Sequence, residues 1–204
     1  MTHGKLLPFR RGVTTGSDGG DARLSDEALV AACALDGDAL GALFDRFHAD
    51  VHRFLSRFAR LDDDARDDIV QLTFLQVQRA APRFRGTSAV KTWILGVAVN
   101  VARNEVRSLS RRGAMADGAG ELAAPAIGPR PDELLERRQL NDRLARAIEE
   151  LSPKLRSVFL MCDVEGIPGV EVARALELRE GTLWRRLHDA RKQLRAALDG
   201  EGTR

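Results

Sequence analysis

The sequence lacks the features that mark secreted, metal-binding and membrane-spanning proteins. Its 204 residues include two cysteines, Cys33 and Cys162, which lie far apart and outside any C-x-x-C pair. Neither a disulfide framework nor a zinc ribbon is indicated, and a reducing compartment is expected. No stretch approaches the ~20 apolar residues needed to cross a bilayer, and no apolar segment follows the basic N-terminus. We therefore expect a soluble cytoplasmic protein without membrane insertion.

A large excess of charge of one sign is also absent. The net charge of +2 would argue against a nucleic-acid partner if the charges were evenly spread, but they are segregated. The acidic cluster comprises Asp62, Asp63, Asp64, Asp67 and Asp68, and the basic clusters comprise Arg103, Arg107, Arg111, Arg112 and then Arg185, Arg186, Arg191, Lys192 and Arg195. Local clusters of opposite sign indicate at least two kinds of partner.

Catalytic and cofactor-binding motifs are missing as well. His48 and His52 are one helical turn apart, but no Glu is placed between them as in H-E-x-x-H, and no third metal ligand is evident. The acidic cluster fits a helix start and a docking face better than a metal site. Without a Gly-rich phosphate loop or a nucleophile constellation, we predict neither an enzyme nor a metal or cofactor site.

Apolar periodicity and composition predict an all-α protein of two small helical domains joined by a flexible linker, the second domain containing a helix-turn-helix. The predicted parts are a disordered tail at 1–23, an N-terminal domain at 24–112, a linker at 113–131, a C-terminal domain at 132–198 and a tail at 199–204. The linker is rich in Gly, Ala and Pro. Its root-mean-square span would be roughly 25 Å, enough for the domains to occupy separated sites.

Four helices are predicted in the N-terminal domain. The first begins after Ser25, a good N-cap, and the third runs from about Asp63 to Ala80 and stops at Pro82. The fourth begins near Ser88. The core-facing stripe of the second comprises Leu40, Leu43, Phe44, Phe47, Val51, Phe54, Leu55 and Phe58.

The third helix carries two different faces. Its buried stripe is predicted to be Val70, Phe74, Val77 and Ala81, while another face bears Asp64, Asp68, Gln71 and Leu75. Because carboxylates repel phosphates, this mixed acidic and apolar face favours a basic protein partner over DNA. The alternative is a solvated face on which Leu75 is partly buried.

The fourth helix carries a polar and basic stripe. Gly96, Asn100, Arg103 and Arg107 share one face, with Trp93 at its edge. Arginines neutralise phosphates and aromatic faces receive unstacked bases, so the stripe could hold single-stranded DNA. A tryptophan at this spacing is nevertheless more often a core residue.

The C-terminal pattern predicts a helix-turn-helix. A short helix at 170–176 and a tight turn at 177–179 precede a helix at 180–198 whose apolar face comprises Leu183, Leu187, Ala190 and Leu194. Arg185, His188 and Lys192 must then point outward, where they can enter a major groove. The alternative is a helical hairpin whose charged face is merely solvated.

These residues together resemble the extracytoplasmic-function (ECF) group of bacterial sigma factors, across roughly residues 24–198. The segment from Asp67 to Leu75, Phe84-Arg85-Gly86 and Lys91-Thr92-Trp93 is similar to the group's first conserved domain. Leu151-Ser152-Pro153 through Gly166, and Gly181-Thr182-Leu183, are similar to its second.

The resemblance implies a factor that directs RNA polymerase to promoters and melts the minus-10 element without covalent chemistry. Its implied partners are the β′ and β subunits of core polymerase, promoter DNA and, as a further candidate, an anti-sigma factor. The implied polymerase contacts are Asp68 and Gln71, and helical spacing adds Asp64 and Leu75 to the same predicted surface. The implied minus-10 contacts are Gly86, Thr87, Ser88, Lys91, Trp93, Asn100, Arg103 and Arg107. The implied minus-35 contacts are Thr182, Trp184, Arg185, His188, Arg191 and Lys192.

Several positions depart from the group's pattern. Leu72 stands where an acid is usual, Pro168 and Gly169 replace a common Ser and Tyr, and Trp184 stands where Lys or Arg is usual. We expect Trp184 to pack against a sugar or a thymine methyl, or to cover the domain core. The competing interpretation is a conventional helix-turn-helix regulator that acts without polymerase. It leaves the face with Asp68 and Gln71 without an obvious use.

Overall fold

The computed structural model describes residues 24–59, 61–113 and 131–200. All regular secondary structure in these ranges is helical, so the predicted all-α class is confirmed. The helices are α1 (Asp26–Cys33), α2 (Gly37–Phe58), α3 (Asp63–Ala80), α4 (Val90–Gly113), α5 (Pro131–Glu150), α6 (Pro153–Phe159), α7 (Gly169–Ala175) and α8 (Glu180–Gly200). A 3₁₀ turn at Ala81–Arg83 follows α3, and a π-helical turn at Leu160–Val164 extends α6. None of these helices is long and apolar enough to span a membrane.

Side-chain caps set the starts of the first three helices. The Ser25 hydroxyl accepts a hydrogen bond from the Ala28 amide at 3.2 Å, which confirms the predicted start of α1. Asp36 caps α2 through the Asp38 amide at 2.9 Å. Asp62 caps α3 in the same way at 2.7 Å. Each cap satisfies an amide that has no partner inside the helix.

The N-terminal core lies among α1, α2, α3 and α4. The predicted α3 stripe of Val70, Phe74, Val77 and Ala81 is buried. So is the α2 stripe, apart from Phe44, which is half-buried and meets the Phe74 ring edge-on at 5.0 Å. Large apolar side chains at helical spacing thus fix the orientation of α3, whose remaining faces meet solvent.

The C-terminal helices form the predicted helix-turn-helix. Leu183, Leu187, Ala190 and Leu194 of α8 are buried against α6 and α7, as their spacing predicted. The turn between α7 and α8 uses a left-handed backbone at Glu177, with φ of 53°. Helices α7 and α4 begin within two residues of the predicted positions. The 1–23 tail, the linker between α4 and α5 and residues 201–204 lie outside the described residues, and the domain boundaries stay predictions.

The two groups of helices also contact each other, chiefly through α7 and α4. Gly96 on α4 is buried there, so its predicted place on an exposed polar stripe is wrong. A Cβ atom at Gly96 would lie 2.5 Å from the carbonyl oxygen of Ala175 on α7. Helical periodicity places Gly96 on the same face as Asn100 but carries no information about a second helix packing on that face.

Candidate protein-docking and nucleic-acid interfaces

The acidic face of α3 is open to solvent. Asp64, Asp68, Gln71 and Leu75 are all exposed, and Leu75 keeps 42% of its surface accessible. Leu72, which replaces the acid usual in the ECF group, is 40% exposed and adds a second apolar side chain. Two leucines flanked by carboxylates offer both contact area and charge complementarity to a basic helix.

A buried arginine anchors the start of this helix. Arg66 is 8% exposed and donates hydrogen bonds to the Leu61 carbonyl at 2.9 Å and to the Asp63 carboxylate at 2.5 Å. It therefore ties the segment before α3 to the body of the helix. The exposed acidic face is consequently presented on a fixed element.

The loop between α3 and α4 is shaped by a glycine and two aromatic rings. Gly86 has φ of +64°, a conformation that residues with a Cβ rarely adopt. Trp93 is half-buried and packs against Phe84, with ring centroids 4.8 Å apart. Trp93 thus has the core-type packing that its spacing favoured, but it also borders an open cleft.

That cleft brings together part of the predicted minus-10 set. Its volume is about 730 Å³. Its lining includes Thr87, Ser88, Trp93 and Asn100, together with Arg174 and Glu177 from the C-terminal helices. Lys91 lies nearby but is paired, with its Nζ atom 3.0 Å from Asp50 and 3.8 Å from Glu165. Four of the predicted residues therefore share one site, and Lys91 already has carboxylate partners.

The other two basic residues of the predicted minus-10 set, Arg103 and Arg107, lie outside this cleft. They line a second cavity of about 850 Å³ whose wall also includes Phe58 and Arg146. Burial lowers the pKa of the Arg103 guanidinium, and the positive charges of Arg107 and Arg186 lower it further. The pKa shift thus reflects burial first, and then the nearby positive charges of Arg107 on α4 and Arg186 on α8.

The outer face of α8 carries the predicted duplex-reading residues. Trp184, Arg185, His188 and Lys192 are exposed, and Thr182 is half-buried near the start of the helix. Arg191 is exposed but not free. Its Nε and Nη2 atoms donate to the two carboxylate oxygens of Asp163 at 2.8 and 2.6 Å, and the hydrogen bonding raises the pKa of Arg191. Arg185, His188 and Lys192 remain the open basic groups of the predicted set.

Trp184 packs closely on Gly169, a residue that sequence reasoning did not include in the site. A Cβ at Gly169 would lie 2.6 Å from Cη2 and 2.8 Å from Cζ2 of the Trp184 ring. The indole therefore lies across the start of α7, with 49% of the residue exposed. One edge of the ring therefore packs on α7, and the exposed half stays available for a partner. The signal in the sequence was that both positions depart from the ECF pattern.

Two family models match the chain. The model described as Sigma-70 region 2 matches residues 43–112, and the model described as Sigma-70, region 4 matches residues 141–194. The first match runs from within α2 through α3 and nearly all of α4, and the second runs from within α5 through α7 and most of α8.

Curated relatives agree with both matches. The chain is 30% identical over 151 residues to the ECF RNA polymerase sigma factor SigE of Mycolicibacterium smegmatis, a match that covers 74% of this chain and 58% of that protein. It is 28% identical over 183 residues to the ECF RNA polymerase sigma-E factor of Escherichia coli K12, covering 84% of this chain and 93% of the relative.

Solved structures share the fold. The sigma factor RpoE of Bartonella quintana, in complex with the anti-sigma factor NepR, matches with a TM-score of 0.58 at 20% identity, covering 76% of this chain and 94% of that one. CnrH, in complex with the cytosolic domain of CnrY, matches with a TM-score of 0.58 at 22% identity, covering 86% of this chain and 97% of that one.

Proposed function

Because this chain belongs to the extracytoplasmic-function group of the sigma-70 family, whose members direct RNA polymerase to promoters, we propose that three of its surfaces divide that work. It is a transcription initiation factor. The first surface binds core polymerase, the second holds the melted minus-10 element and the third reads the minus-35 element as duplex. The chain acts in the cytoplasm, where the chromosome lies, and performs no covalent chemistry itself.

The acidic face of α3 is the polymerase-docking surface. Asp64 and Asp68 supply negative charge, Gln71 a polar contact, and Leu75 an apolar contact to the clamp helices of β′. Leu72 adds apolar area in place of a charge. The exposure of Leu72 and Leu75 on an otherwise charged face supports this assignment, because an exposed apolar patch beside carboxylates suits a protein partner.

The α3–α4 loop and α4 form the minus-10 surface. The cleft at Thr87, Ser88, Trp93 and Asn100 receives unstacked bases, while Arg103 and Arg107 neutralise the phosphates that follow. The grouping of the first four residues around one cleft supports the assignment. Each stacked base would contribute about 1–3 kcal/mol.

The outer face of α8 reads duplex DNA. Arg185 and His188 lie toward the start of the helix, where a recognition helix contacts base edges, and Lys192 contacts the backbone further along. The whole proposal rests on one observation. The same chain exposes an acidic and apolar face on α3 and a basic face on α8. A regulator acting without polymerase would need only the second.

Run-off transcription with purified core polymerase tests the proposal. We expect Asp68→Ala combined with Gln71→Ala to weaken binding to core polymerase at least tenfold and to reduce transcripts in proportion. Asp45→Ala, an exposed acid on α2, is the matched control and should bind as the wild type does. Arg185→Ala should keep core binding but lose promoter selectivity, whereas Arg195→Ala near the end of the same helix should lose less. Failure of the wild-type chain to bind core polymerase would refute the sigma assignment.

An anti-sigma factor is a further proposed partner. Two solved structures of similar fold are complexes, one with the anti-sigma factor NepR and the other with the cytosolic domain of CnrY. If such a partner exists here, co-purification with it should abolish binding to core polymerase, and its removal should restore that binding.

A further inference from the structure

The exposed face of α3 is not covered by any part of the chain that the structure describes. Leu72 and Leu75 are 40% and 42% exposed on adjacent turns of the helix. Asp64 and Asp68 lie on the same side and form no ion pair with any described residue. At 1.5 Å per residue, these four side chains form a strip about 16 Å long. The strip offers two carboxylates and two apolar side chains to a partner.

A complementary pattern lies near the start of the sequence. Residues 5–11 read KLLPFRR, and residues 1–11 contain no Asp or Glu. We call residues 5–11 the basic-apolar segment. Its two leucines and its phenylalanine match the leucines of α3, and its three cations match the carboxylates. Seven extended residues span at most about 24 Å, which is enough to lie along the strip.

Charge selects α3 among the exposed helix faces. The second half of α4 carries Arg103 and Arg107, and the outer face of α8 carries Arg185 and Lys192. Both of these surfaces would repel a segment that has cations at each end. The acidic face of α3 attracts it, because complementary charge favours one docking surface over others of the wrong sign.

The described chain begins close to this face. The Leu24 carbonyl oxygen accepts a hydrogen bond from Nη1 of Arg46 on α2 at 3.2 Å. Two residues earlier on α2, the Phe44 ring meets Phe74 of α3 at 5.0 Å. Since packed helices lie 8–10 Å apart, the exposed face of α3 is about 20 Å from Leu24. The twelve residues at 12–23 can span about 40 Å, so the segment can reach it.

The tether also favours the segment over a second copy of the chain. Binding within one chain has a high effective concentration and needs no encounter between molecules. The contact itself is weak, because ion pairs at an exposed surface contribute little and are screened by salt. A partner with a larger interface can therefore displace the segment.

We propose that the basic-apolar segment docks on the exposed face of α3 in the free chain. The docking does not depend on what α3 binds afterwards. Its consequence rests on the proposed function: the segment and core polymerase compete for one face, so the segment slows the formation of holoenzyme.

Photo-crosslinking of the free full-length chain tests the docking. p-Benzoylphenylalanine in place of Phe9 keeps an aromatic side chain and reacts with C–H bonds close to it. After irradiation, we expect most crosslinks to fall on residues 64–79 of the same chain, as mapped by mass spectrometry. Mixing isotope-labelled and unlabelled chains distinguishes crosslinks within one chain from those between two.

Charge reversal identifies the groups that pair. Asp64→Arg combined with Asp68→Arg should reduce the crosslinks on α3 at least fivefold. Arg10→Glu combined with Arg11→Glu should do the same. All four substitutions together should restore the crosslinks to within twofold of the original yield, because opposite charges then face each other again.

Two exposed acids on α5 supply the matched control. Asp142→Arg combined with Glu150→Arg changes the net charge by the same amount as the double reversal on α3. Crosslinking to α3 should stay within twofold, because neither residue belongs to the strip.

Association with core polymerase, followed by stopped-flow fluorescence, tests the competition. Leu7→Ser combined with Phe9→Ser removes apolar contacts of the segment without changing the net charge. We expect this full-length variant to associate at least threefold faster than the wild type. Val13→Ser, which changes an apolar residue just outside the segment, should associate at the wild-type rate.

Crosslinks that fall mainly outside α3, that join two chains or that persist after charge reversal would overturn the docking. An unchanged association rate for Leu7→Ser with Phe9→Ser would overturn the competition. The crosslinking experiment contains no polymerase. A wild-type chain that fails to bind core polymerase would therefore refute the proposed function, while the crosslinks alone decide the docking.

Discussion

At the scale of single residues, Gly169 and Trp184 act as a pair. The missing side chain of Gly169 leaves room for the indole, whose far edge reaches across from α8 to the start of α7. An indole presents an apolar surface where the ECF group usually has a cation, so it cannot neutralise a phosphate. The exposed half of Trp184 is suited to contact with a sugar or a thymine methyl.

Gly169→Ala should therefore alter which duplex is read rather than whether duplex is read. The new methyl group would displace the Trp184 ring, because its nearest atoms belong to that side chain. We expect the promoter preference of holoenzyme, measured by selection from a randomised minus-35 region, to change at one or two positions. Gly181→Ala, which introduces a methyl group into open space on α8, should leave the preference unchanged. An identical preference for Gly169→Ala would remove Gly169 from the reading surface.

At the scale of elements, α3 combines two separate tasks. Asp62 and Arg66 hold the start of the helix, whereas Asp68 and Gln71 face solvent and contribute little to packing. Stability and partner binding should consequently respond to different substitutions on the same helix.

Asp62→Ala should lower the free energy of unfolding by about 1 kcal/mol, because it removes the acceptor for the Ala65 amide. Asp68→Ala should change that free energy by less than about 0.5 kcal/mol, since Asp68 is exposed and beyond the first turn. Chemical denaturation of both variants measures the difference. Equal losses of stability would contradict the division of tasks.

Elements were predictable where their causes are local. Ser25 and Asp62 precede their helices directly, and the buried positions of α3 and α8 follow from the helical repeat. Gly96 was misplaced because α7 lies far along the chain, and no local pattern records which helix will approach. The pairing of Arg191 with Asp163 was missed for the same reason. The faces of α3 and α8 were thus predictable from the sequence. The distant helices and side chains that pack against particular residues were not.

At the scale of the whole molecule, the N-terminal and C-terminal groups of helices are held together by the contacts of α7 with α4 and by exposed ion pairs such as Arg57 with Glu165. Salt screens pairs of this kind, with a Debye length of about 10 Å at 0.1 M falling to about 3 Å at 1 M. The packing of Gly96 against Ala175 is not screened, so the two contributions can be separated.

Raising the salt concentration from about 0.05 M to about 1 M should increase the radius of gyration of the free chain, as measured by small-angle X-ray scattering. Gly96→Ala should already be expanded at the lower concentration and should respond less. A wild-type radius that stays constant across the series would show that the ion pairs do not help to hold the two groups of helices together.

The glycine at position 96 also sets how closely the two groups of helices can approach. A Cβ at this position would lie 2.5 Å from the carbonyl oxygen of Ala175, so any side chain there would have to move α7. Alanine favours an isolated helix over glycine by up to about 1 kcal/mol, but here it would disrupt the contact between α4 and α7. The glycine thus gives up local helix propensity for a contact between two elements that lie far apart in the sequence.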